Sequence, residues 1–407
     1  MSKSELIVGL DIGTTKICAV VGEPSENGGM DIVGIGTSPS TGLRKGVVVN
    51  IEQTVQSIKR ALEEAELMAG CEIRSVYAGI AGSHIKGFNS HGVIAVKGGE
   101  VSPRDIERAL DAAKAVAIPL DREVIHILPQ EYIVDDQRGI ADPMGMAGVR
   151  LEVKVHIVTG AVTSAQNIVR SCHKSGLDVS DIVLESLASA KAVLTEEERE
   201  IGVALIALGG GTCDIANDSI KHTGVLALGG QNLTNDIAFG LRTPMAAAEK
   251  IKIKHGAAIA EMVRPDEYIE VPSVGGREPR RLSRQVLAEI CEPRMEEILT
   301  LLDQELVRSG LKNMIGAGVV LTGGTALIQG CQELGEQVFN LPTRIGYPRN
   351  VGGLKDMVNS PKFATAMGLL RFGAEKEGME QKFRIRSDGN VFNSILSRMK
   401  KWFSEIS

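Results

Sequence analysis

The stretch from Leu6 to Val21, LIVGLDIGTTKICAVV, constrains the fold most, because two apolar runs flank a short polar tip. Runs rich in Val, Ile and Leu on both sides of a Gly/Thr turn predict a β-hairpin. Gly13 lets backbone N–H groups approach an anion, and Asp11 can hold a divalent cation such as Mg²⁺ through water. Hydroxyl donors and a positive charge come from Thr14, Thr15 and Lys16. The tip therefore suits a phosphate with its metal, although an ordinary hairpin fits the stretch equally well.

The same layout returns twice further along the chain. Ile201 to Ala216, IGVALIALGGGTCDIA, is an apolar strand followed by a glycine-rich tip, and Val319 to Ala326, VVLTGGTA, ends a strand in a glycine corner. The residues of these motifs are Gly209, Gly210, Gly211, Thr212 and Asp214 in the first and Gly323 and Gly324 in the second. Two hairpin loops and one glycine corner, in that order, resemble the nucleotide-binding set of the actin-like ATPase superfamily. In that superfamily the hairpins grip the phosphates and the corner packs under adenosine.

Composition indicates a soluble globular protein of two or three domains, because 407 residues with 43% hydrophobic residues can bury more than one core. The net charge of −6, the 3% aromatic residues and the lack of a basic stripe argue against nucleic acid as a partner. The six cysteines contain no CxxC pair, which favours a reduced cytosol and buried thiols. The seven histidines show no metal-binding spacing, so no transition-metal site is expected.

Several other sequence signals are missing. No apolar run of about 18 residues occurs, and Asp11 follows the N-terminus too closely for a signal peptide, so we expect a cytoplasmic protein. No GxxxxGK[ST] motif is present, which excludes the P-loop class. The Gly34-Ile35-Gly36 pair has Pro39 in place of the third glycine of a dinucleotide-binding motif, and a feature at the end of a strand explains it better.

Alternating strands and helices predict an α/β fold with a mixed sheet. The stretch Ile51 to Met68 has apolar residues at helical spacing and a polar opposite face. From about His84 to Val158 the pattern changes to short strands and one helix, whose start is marked by Ser102 as cap and Pro103 in the first turn. This stretch predicts a compact α+β insertion. Further helices are expected over 284–309 and 364–373, and a hairpin over 265–281.

Three further polar side chains are candidates for chemistry, each with a plain structural alternative. Glu185 ends an apolar strand and could orient the attacking water of an ATPase, or could be a solvated carboxylate at the end of that strand. Glu249 and Lys252 share one helical face at i, i+3 spacing. They could hold a ribose and base, or could pair with each other.

The final segment, Val391 to Ser407, differs sharply from the charged stretch before it, about Ala374 to Asn390, which we interpret as a linker. At about 100° per residue the apolar side chains of the final segment fall on one arc of a helix, flanked by basic residues, as in helices that lie on an anionic membrane surface. The membrane-binding candidates are Phe392, Ile395, Leu396, Arg398, Met399, Lys400, Trp402, Phe403 and Ile406. The alternative is a helix that docks on its own domain.

Eight motifs spread over nearly the whole chain carry a resemblance to one protein family. They are GLDIGTTK at Gly9, HILPQEY at His126, LTEEERE at Leu194, GGGTCDIA at Gly209, AEKIKIKHG at Ala248, VPSVGGREPR at Val271, LAEICEPR at Leu287 and VVLTGG at Val319. With the insertion and the terminal helix, they are similar to the FtsA family of bacterial cell-division proteins.

The resemblance implies duplicated actin-like (ribonuclease H-like) domains that bind ATP and Mg²⁺, with an inserted α+β subdomain and a C-terminal amphipathic helix. It implies filaments on the cytoplasmic face of the inner membrane at the division site, which tether the tubulin-like protein FtsZ and recruit later division proteins. Arg294 is the residue expected to bind acidic groups of the FtsZ C-terminal peptide, and Arg280 and Arg281 are weaker candidates. The insertion would serve filament contacts and late partners.

The expected domains follow from the same resemblance. They are a first actin-like domain (1–83 and 159–196), the inserted subdomain (84–158), a second actin-like domain (197–240 and 318–373), a small FtsZ-binding subdomain (241–317), the linker (374–390) and the membrane-targeting helix (391–407).

One position of the second hairpin departs from the family pattern. The family has Asp before the glycines where this sequence has Ala207, and Asn217, Asp218 and Ser219 follow the strand so soon that it looks short. A carboxylate that would help to hold the metal is missing. We therefore expect nucleotide to bind and its hydrolysis to be weak or absent.

Three other functions of the superfamily remain open. A phosphotransferase such as a sugar kinase would need a catalytic Asp and a sugar pocket, and a chaperone ATPase would need a large β-rich domain after its ATPase. The actin-like protein of type IV pilus assembly lacks the terminal helix and the VPSVGGR segment. The membrane-type terminal segment favours the cell-division family.

Overall fold

The first half of the chain is built on a mixed six-stranded sheet. The computed structural model describes residues 6–25, 28–217 and 222–386. The strands of this sheet are β1 (Ile7–Ile12), β2 (Lys16–Pro24), β3 (Met30–Pro39), β6 (Ser75–Ile80), β11 (Asp178–Leu184) and β19 (Val351–Gly353). They lie in the order β11-β6-β1-β2-β3-β19, so the first hairpin occupies the centre of the sheet.

The predicted first hairpin is confirmed. β1 and β2 pair antiparallel from Ile7 with Gly22 to Ile12 with Ile17, which leaves Gly13 to Lys16 as the tip. All residues of β1 are buried, because β1 also pairs with β6 in parallel and helices cover the sheet. The rigid sheet therefore holds the polar tip at a fixed position.

Helix α1 (Ile51–Ala69) confirms the helix predicted over 51–68, and it starts where the Asn50 side chain accepts a hydrogen bond from the N–H of Gln53. A Cβ atom on Gly36 would lie 1.9 Å from the Ala61 carbonyl oxygen, so glycine lets α1 pack directly onto β3. The other elements of this half are β4 (Leu43–Arg44), β5 (Val47–Val48), α3 (Val162–Lys174), α4 (Glu185–Val193), α5 (Glu196–Ile201), α10 (Lys355–Val358) and α11 (Ala364–Arg386).

The inserted α+β subdomain is confirmed as a four-stranded antiparallel sheet with one helix. Its elements are β7 (Lys86–Ala95), α2 (Pro103–Lys114), β8 (Arg122–Val134), β9 (Gln137–Ile140) and β10 (Arg150–Ala161), with strand order β7-β10-β8-β9. Ser102 caps α2 as predicted, in a reciprocal capping box with Asp105.

Two strand predictions in this subdomain were wrong in extent. The separate strands expected over 85–88 and 92–96 form one strand, β7, and those expected over 123–128 and 132–135 form one strand, β8. β10 pairs along the whole of both strands and therefore keeps them extended. A register shift between Lys154 and Val155 lies opposite Pro129, so the strand continues through this proline.

The second half repeats the plan of the first. Its sheet contains β12 (Ala204–Leu208), β13 (Cys213–Asn217), β14 (Thr223–Leu226), β17 (Val319–Thr322) and β18 (Thr343–Ile345), in the order β14-β13-β12-β17-β18. β12 and β13 pair antiparallel from Ala204 with Asn217 to Leu208 with Cys213, and Gly209 to Thr212 form the tip. The second hairpin therefore forms, despite its departure from the family pattern at Ala207.

Helices and a small hairpin complete this half around one apolar core. They are α6 (Gly230–Gly240), α7 (Met245–His255), β15 (Tyr268–Val271), β16 (Arg280–Ser283), α8 (Arg284–Arg308) and α9 (Cys331–Phe339). The hairpin predicted over 265–281 and the helix predicted over 284–309 are confirmed. The core of this half joins residues of α8 such as Leu287, Met295 and Leu299 to β12 and β17.

The last helix is longer than predicted. α11 runs to Arg386 and so passes through most of the stretch that the sequence pattern assigned to a linker. Charged residues just past the predicted end bond to the first half of the chain: Lys376 to Asp181 at 2.6 Å, and Glu375 to Lys191. These ion pairs explain why a charged sequence continues as a helix here.

No helix within the described ranges is long and apolar enough to cross a membrane. All six cysteines are free, and five of them are buried as expected, whereas Cys71 is partly exposed. The predicted membrane-binding residues of 391–407 lie outside the described residues.

Candidate nucleotide-binding site

The tips of the two hairpins meet at the junction of the two sheets. A Cβ atom on Gly210 would lie 2.4 Å from Cγ2 of Thr15, and one on Gly211 would lie 2.4 Å from Oγ1 of Thr14. Only glycine at these two positions allows the tips to approach so closely. Thr14 Oγ1 also accepts a hydrogen bond of 2.9 Å from the N–H of Gly46. The fold thus brings together the two loops that the sequence predicts to bind phosphate.

The second tip is held by the start of α6 and by the glycine corner. The N–H groups of Gly230 and Gln231 donate to the carbonyl oxygens of Gly209 and Gly210 at 3.0 and 2.8 Å. Thr325 Oγ1 donates to the Gly209 oxygen at 3.0 Å. The tip, the helix start and the corner at Gly323 and Gly324 therefore form one backbone-rich surface.

Three carboxylates lie close enough around the tips to influence one another. Burial raises the pKa of Asp11, although the Lys16 ammonium 3.5 Å away opposes the shift. Burial, and then the charges of Asp11 and Asp214, raise the pKa of Glu185 well above its ordinary value. Glu185 opens α4 and its Cγ would lie 3.0 Å from a Cβ on Gly79 of β6. Glu185 is half-buried and close to two other carboxylates, so its surroundings differ from those of an isolated solvated carboxylate at the end of a strand.

Asp214 is the most deeply buried of the three carboxylates. Burial raises its pKa to about 7, against the hydrogen bond of 3.1 Å that Thr212 Oγ1 donates to its Oδ2. Its Oδ1 atom is buried and has no hydrogen-bond partner among the residues that the structure describes. A buried acceptor without a donor is costly, and a cation or its water would satisfy this one.

Lys16 supplies the positive charge of the first tip. Its ammonium donates 2.9 Å to the carbonyl oxygen of Lys362 and lies 4.8 Å from the centre of the Phe363 ring. It therefore links the first tip to the segment that enters α11. The second tip has no cation at the matching place, because Thr212 stands there.

Glu249 and Lys252 pair with each other and also line the corner beside the second tip. Lys252 Nζ lies 2.7 Å from Glu249 Oε2, and it donates to the Gly230 carbonyl at 3.0 Å and to Thr234 Oγ1 at 2.9 Å. Thr234 also bonds to Glu249. The alternatives of pairing and of facing a ligand are therefore compatible. A Cβ atom on Gly324 would meet only the Lys362 side chain at 3.8 Å, so open space lies above this glycine.

The side chains that could serve as metal ligands decide whether a nucleotide with its metal fits this site. Among the residues that the structure describes, no group of three metal-ligating side chains is close enough to hold an ion by itself. The carboxylates of Asp11 and Asp214 suit a hydrated Mg²⁺ that takes its remaining ligands from water and phosphate. The site residues fit such a metal only together with an anionic ligand.

Comparisons with known proteins place this geometry in a family. A family model described as cell division protein FtsA matches residues 204–368, and one described as the SHS2 domain inserted in FtsA matches residues 82–159. The chain is 52% identical to the cell division protein FtsA of Pseudomonas aeruginosa, with 99% of this chain and 98% of that protein covered. It is 42% identical to that of Escherichia coli K12, with 98% and 97% covered. The chain belongs to the FtsA family.

Solved structures agree on the fold of this FtsA-family chain. The PilM-PilN type IV pilus biogenesis complex matches with a TM-score of 0.64 at 16% identity, over 90% of this chain and 98% of that one. MreB5 of Spiroplasma citri bound to ADP matches with a TM-score of 0.55 at 15% identity, over 95% and 99%. Such low identities show the fold alone, and they confirm the actin-like architecture. The type IV pilus alternative therefore has support only at the level of the fold.

The arginines predicted to bind a partner lie away from the hairpin tips of this FtsA-family chain, on the surface of the second half. Arg294 of α8 already pairs with Asp236 of α6, at 2.5 Å from Nε to Oδ2, and also with Glu297. Arg280 donates to the Leu241 carbonyl, and Arg281 stacks 4.3 Å above the ring of Tyr268. The structure does not bring these three arginines into one cluster of free charges.

The sequence pattern missed several residues of the candidate site. Thr325 follows the predicted glycine corner directly, so its neighbours in VVLTGGTA were a usable signal. Thr234 could have been found from its i+4 spacing to Gly230, whose carbonyl its hydroxyl contacts at 3.0 Å. The contact of Lys16 with the Lys362 carbonyl joins residues far apart in the chain and had no local signal.

Proposed function

We propose that this FtsA-family chain binds one Mg²⁺-ATP between its two hairpin tips. The observation that carries the proposal is the meeting of the tips beside Asp214, whose buried Oδ1 has no partner within the described part of the chain. Backbone N–H groups of both tips and the Lys16 ammonium would contact the phosphates. Asp11 and Asp214 would hold Mg²⁺ through water. The positive charge of the metal would neutralise the negative charges of these two carboxylates.

The adenosine would lie on the glycine corner. The open space above Gly324 supports this placement, as do the polar groups of Glu249 and Lys252 beside it. The ammonium of Lys252 is buried and already donates to three acceptors, so it would hold Glu249 and the start of α6 in place for the ribose or base. Pre-positioned polar groups lower the entropic cost of binding.

Entry of the triphosphate requires the tips to separate. Thr14 and Thr15 contact Gly211 and Gly210, so phosphates between the tips must displace these threonines. Binding would then shift the two halves of the chain relative to each other. Such a shift is a physical route by which nucleotide could control assembly into filaments.

Hydrolysis is proposed to be weak. Glu185 could orient the attacking water, since its raised pKa makes it a better proton acceptor than an ordinary carboxylate. However, Ala207 offers no second carboxylate beside Asp214, with which it pairs across β12 and β13. The metal would be held from one side of the second hairpin only.

Equilibrium titration of a fluorescent ATP analogue with and without Mg²⁺ tests the nucleotide proposal. We expect one Mg²⁺-dependent site per chain, which unlabelled ATP empties and which Lys174→Ala, a distant surface change, leaves intact. Binding that ignores Mg²⁺ and survives Lys16→Ala would contradict it. Steady phosphate release at enzyme-like rates would contradict weak hydrolysis alone.

The FtsZ C-terminal peptide is proposed to bind where α6 and α8 meet. Arg294 lies there, paired with Asp236, and Phe239, about one turn further along α6, is 88% exposed. An acidic peptide would take over Arg294 from Asp236 while its apolar residues cover Phe239. Arg280 and Arg281 hold the neighbouring hairpin and would contribute less.

A peptide-binding measurement tests this surface. Arg294→Ala should weaken binding of the FtsZ peptide about tenfold or more, because a charge-assisted bond contributes about 1.5–3 kcal/mol. Arg308→Ala, which removes an exposed arginine from the same helix, is the matched control. Equal affinities of both variants would place the peptide elsewhere.

We further propose that the chain acts on the cytoplasmic face of the inner membrane at the division site, where it assembles into filaments and recruits later division proteins. The amphipathic pattern of Val391 to Ser407 supports a membrane anchor, and the inserted subdomain offers a separate surface for late partners. Avidity would favour an assembled form on the membrane, because each single helix binds reversibly.

Co-sedimentation with anionic liposomes tests the membrane role. The full chain should pellet, and a chain ending at Asp388 should stay in solution. If both stay in solution, the terminal segment is not an anchor, and kinase activity would be the next property to measure.

A further inference from the structure

A cavity of about 630 Å³ lies away from the hairpin tips, at the opposite end of β2 and β3. Its walls come from the turn between these strands, the end of α4, the start of α5, the loop before β19 and the third turn of α11. Four cationic side chains line it: Lys191, Arg199, Arg349 and Arg371. A run along β2 separates the cavity from the first tip by roughly 25 Å, so it is no part of the nucleotide site.

Two of the arginines are anchored by the last turn of α4. Arg371 Nη1 donates 2.7 Å to the Lys191 carbonyl, and Arg199 Nη2 donates 3.1 Å to the Ala190 carbonyl. The Ala190 carbonyl also accepts from the N–H of Leu194, so the two arginines add to the bonds at the end of α4. Arg371 Nη2 donates in addition to the Arg349 carbonyl, and these bonds fix both guanidinium groups beside the cavity. One cation would be enough to cap the end of α4, so helix capping does not explain why three arginines lie at the cavity.

None of the three guanidinium groups has a carboxylate within 4.0 Å among the residues that the structure describes, whereas Lys191 is paired with Glu375. Burial, and then repulsion from Arg199 and Arg349, lower the pKa of Arg371. Glu196 and Glu197 also line the cavity, in the first turn of α5. With Glu375, three carboxylates and four cations line the cavity, so the lining keeps a net charge of +1 and the carboxylates offset the repulsion among the arginines only in part.

We propose that this cavity binds a small anion that carries one or two phosphate groups. Guanidinium groups suit phosphate because they offer paired donors in a fixed plane. The volume is that of a small-molecule site. No aromatic side chain occurs among the described residues that line it, so the site favours a phosphate group over a stacked base. The phosphate could belong to a soluble compound or to the headgroup of an anionic lipid.

Arg349 is the residue on which the test turns. Its side chain is exposed and bonds to no described group, whereas its backbone is held at both ends: the N–H lies 3.0 Å from the Ala192 carbonyl, and the carbonyl accepts a hydrogen bond from Arg371. Arg349→Gln therefore removes a guanidinium from the cavity without removing a structural contact. Arg104→Gln, at an exposed arginine of α2, is the matched control.

The experiment is calorimetric titration of the full chain with inorganic pyrophosphate. The proposed phosphate site at the hairpin tips would also bind pyrophosphate, so Lys16→Ala is titrated as well. We expect saturable binding that persists in Lys16→Ala and weakens at least about tenfold in Arg349→Gln, with Arg104→Gln unchanged. Arg371→Lys, which keeps the charge but loses the planar fork, should also weaken it.

Absence of saturable binding in Lys16→Ala would overturn the proposal, and so would binding that Arg349→Gln leaves unchanged. A failure of the nucleotide proposal would give a different result. It would change only the part of the pyrophosphate binding that is lost in Lys16→Ala, and the binding that remains in Lys16→Ala would be unaffected. Vesicles of phosphatidylglycerol, against phosphatidylcholine, identify the source of the phosphate. Capture of the full chain that falls in Arg349→Gln indicates a lipid headgroup, and capture that does not fall indicates a soluble compound.

Discussion

The two hairpins share one backbone plan but divide the polar groups between them. In the first, Asp11 pairs across the strands with Cys18, whereas in the second Ala207 pairs with Asp214. Each hairpin thus keeps one carboxylate at the same level, on opposite strands. The first tip carries a cation and two hydroxyl side chains. The second tip begins with three glycines, whose lack of side chains lets the first tip approach. A duplicated fold can therefore build one asymmetric site from two similar halves.

The largest effect should come from removing the buried carboxylate of the second hairpin. Burial raises the pKa of Asp214 in the folded chain to about 7, far above its value when unfolded. The folded state then binds the extra proton, so stability falls as pH rises from about 4 to about 7. Asp214→Asn should remove this loss and raise the free energy of unfolding at pH 8 by a few kcal/mol, since one pK unit equals about 1.4 kcal/mol.

Denaturant unfolding without nucleotide, at pH 5 and at pH 8, measures this difference. The matched variant is Asp11→Asn in the first hairpin, which should gain less because Lys16 already compensates that charge. Equal increases in the free energy of unfolding for both variants would contradict the asymmetry between the hairpins. Asp214→Asn should also bind Mg²⁺-ATP more weakly. The effect of this side chain on the stability of the chain is then distinguished from its role in the nucleotide site.

The next effect concerns the cation that only the first hairpin has. Lys16→Ala should weaken binding of Mg²⁺-ATP by about 10- to 100-fold, because charge-assisted contacts to phosphate contribute about 1.5–3 kcal/mol. Thr212→Ala, at the matching place of the second hairpin, should cost less than tenfold in affinity. Competition titration against a fluorescent analogue ranks the two variants, and the reverse order would contradict the division of roles.

Closer packing of the tips should have a smaller effect. A Cβ atom on Gly210 would overlap Thr15, so Gly210→Ala should destabilise the nucleotide-free chain by about 1–2 kcal/mol, as overpacking commonly does. Thr15→Gly in the same chain should restore most of the loss, and thermal unfolding of single and double variants measures the coupling. Additive effects would mean that the tips do not touch.

The smallest expected effect is that of making the second hairpin more like the first. Ala207→Asp adds a carboxylate beside Asp214 and should raise Mg²⁺-dependent ATP turnover by up to about tenfold, or about 1.4 kcal/mol of barrier. Phosphate release at saturating ATP checks this. Appreciable turnover in the natural chain that Ala207→Asp does not increase would contradict the view that the missing carboxylate limits hydrolysis.

The sequence predicted the local elements of both hairpins well, because each consists of apolar strands around a glycine turn. The capped start of α2 at Ser102 was equally readable. The capping box of Thr195 and Glu198 marks α5 in the same way, and it went unused as a helix signal. Local patterns therefore suffice where a few neighbouring residues decide the structure.

Contacts between distant residues could not be predicted in this way. The pairing of Arg294 with Asp236 joins two helices, and the continuation of α11 depends on Lys376 reaching Asp181. The cavity between α4 and α11 likewise collects arginines from three separate parts of the chain. Such features depend on how helices and strands pack together, and the periodicity of the sequence does not indicate them.

Hydrogen–deuterium exchange of the full chain, with and without Mg²⁺ and a non-hydrolysable ATP analogue, tests the central claim most directly. If one nucleotide lies between the hairpins, amides of residues 13–16 and 209–212 should become protected together, at the same ligand concentration. Protection should fail at both tips in Lys16→Ala. Protection confined to one tip, or none at either while the analogue binds, would contradict a site shared by the two hairpins.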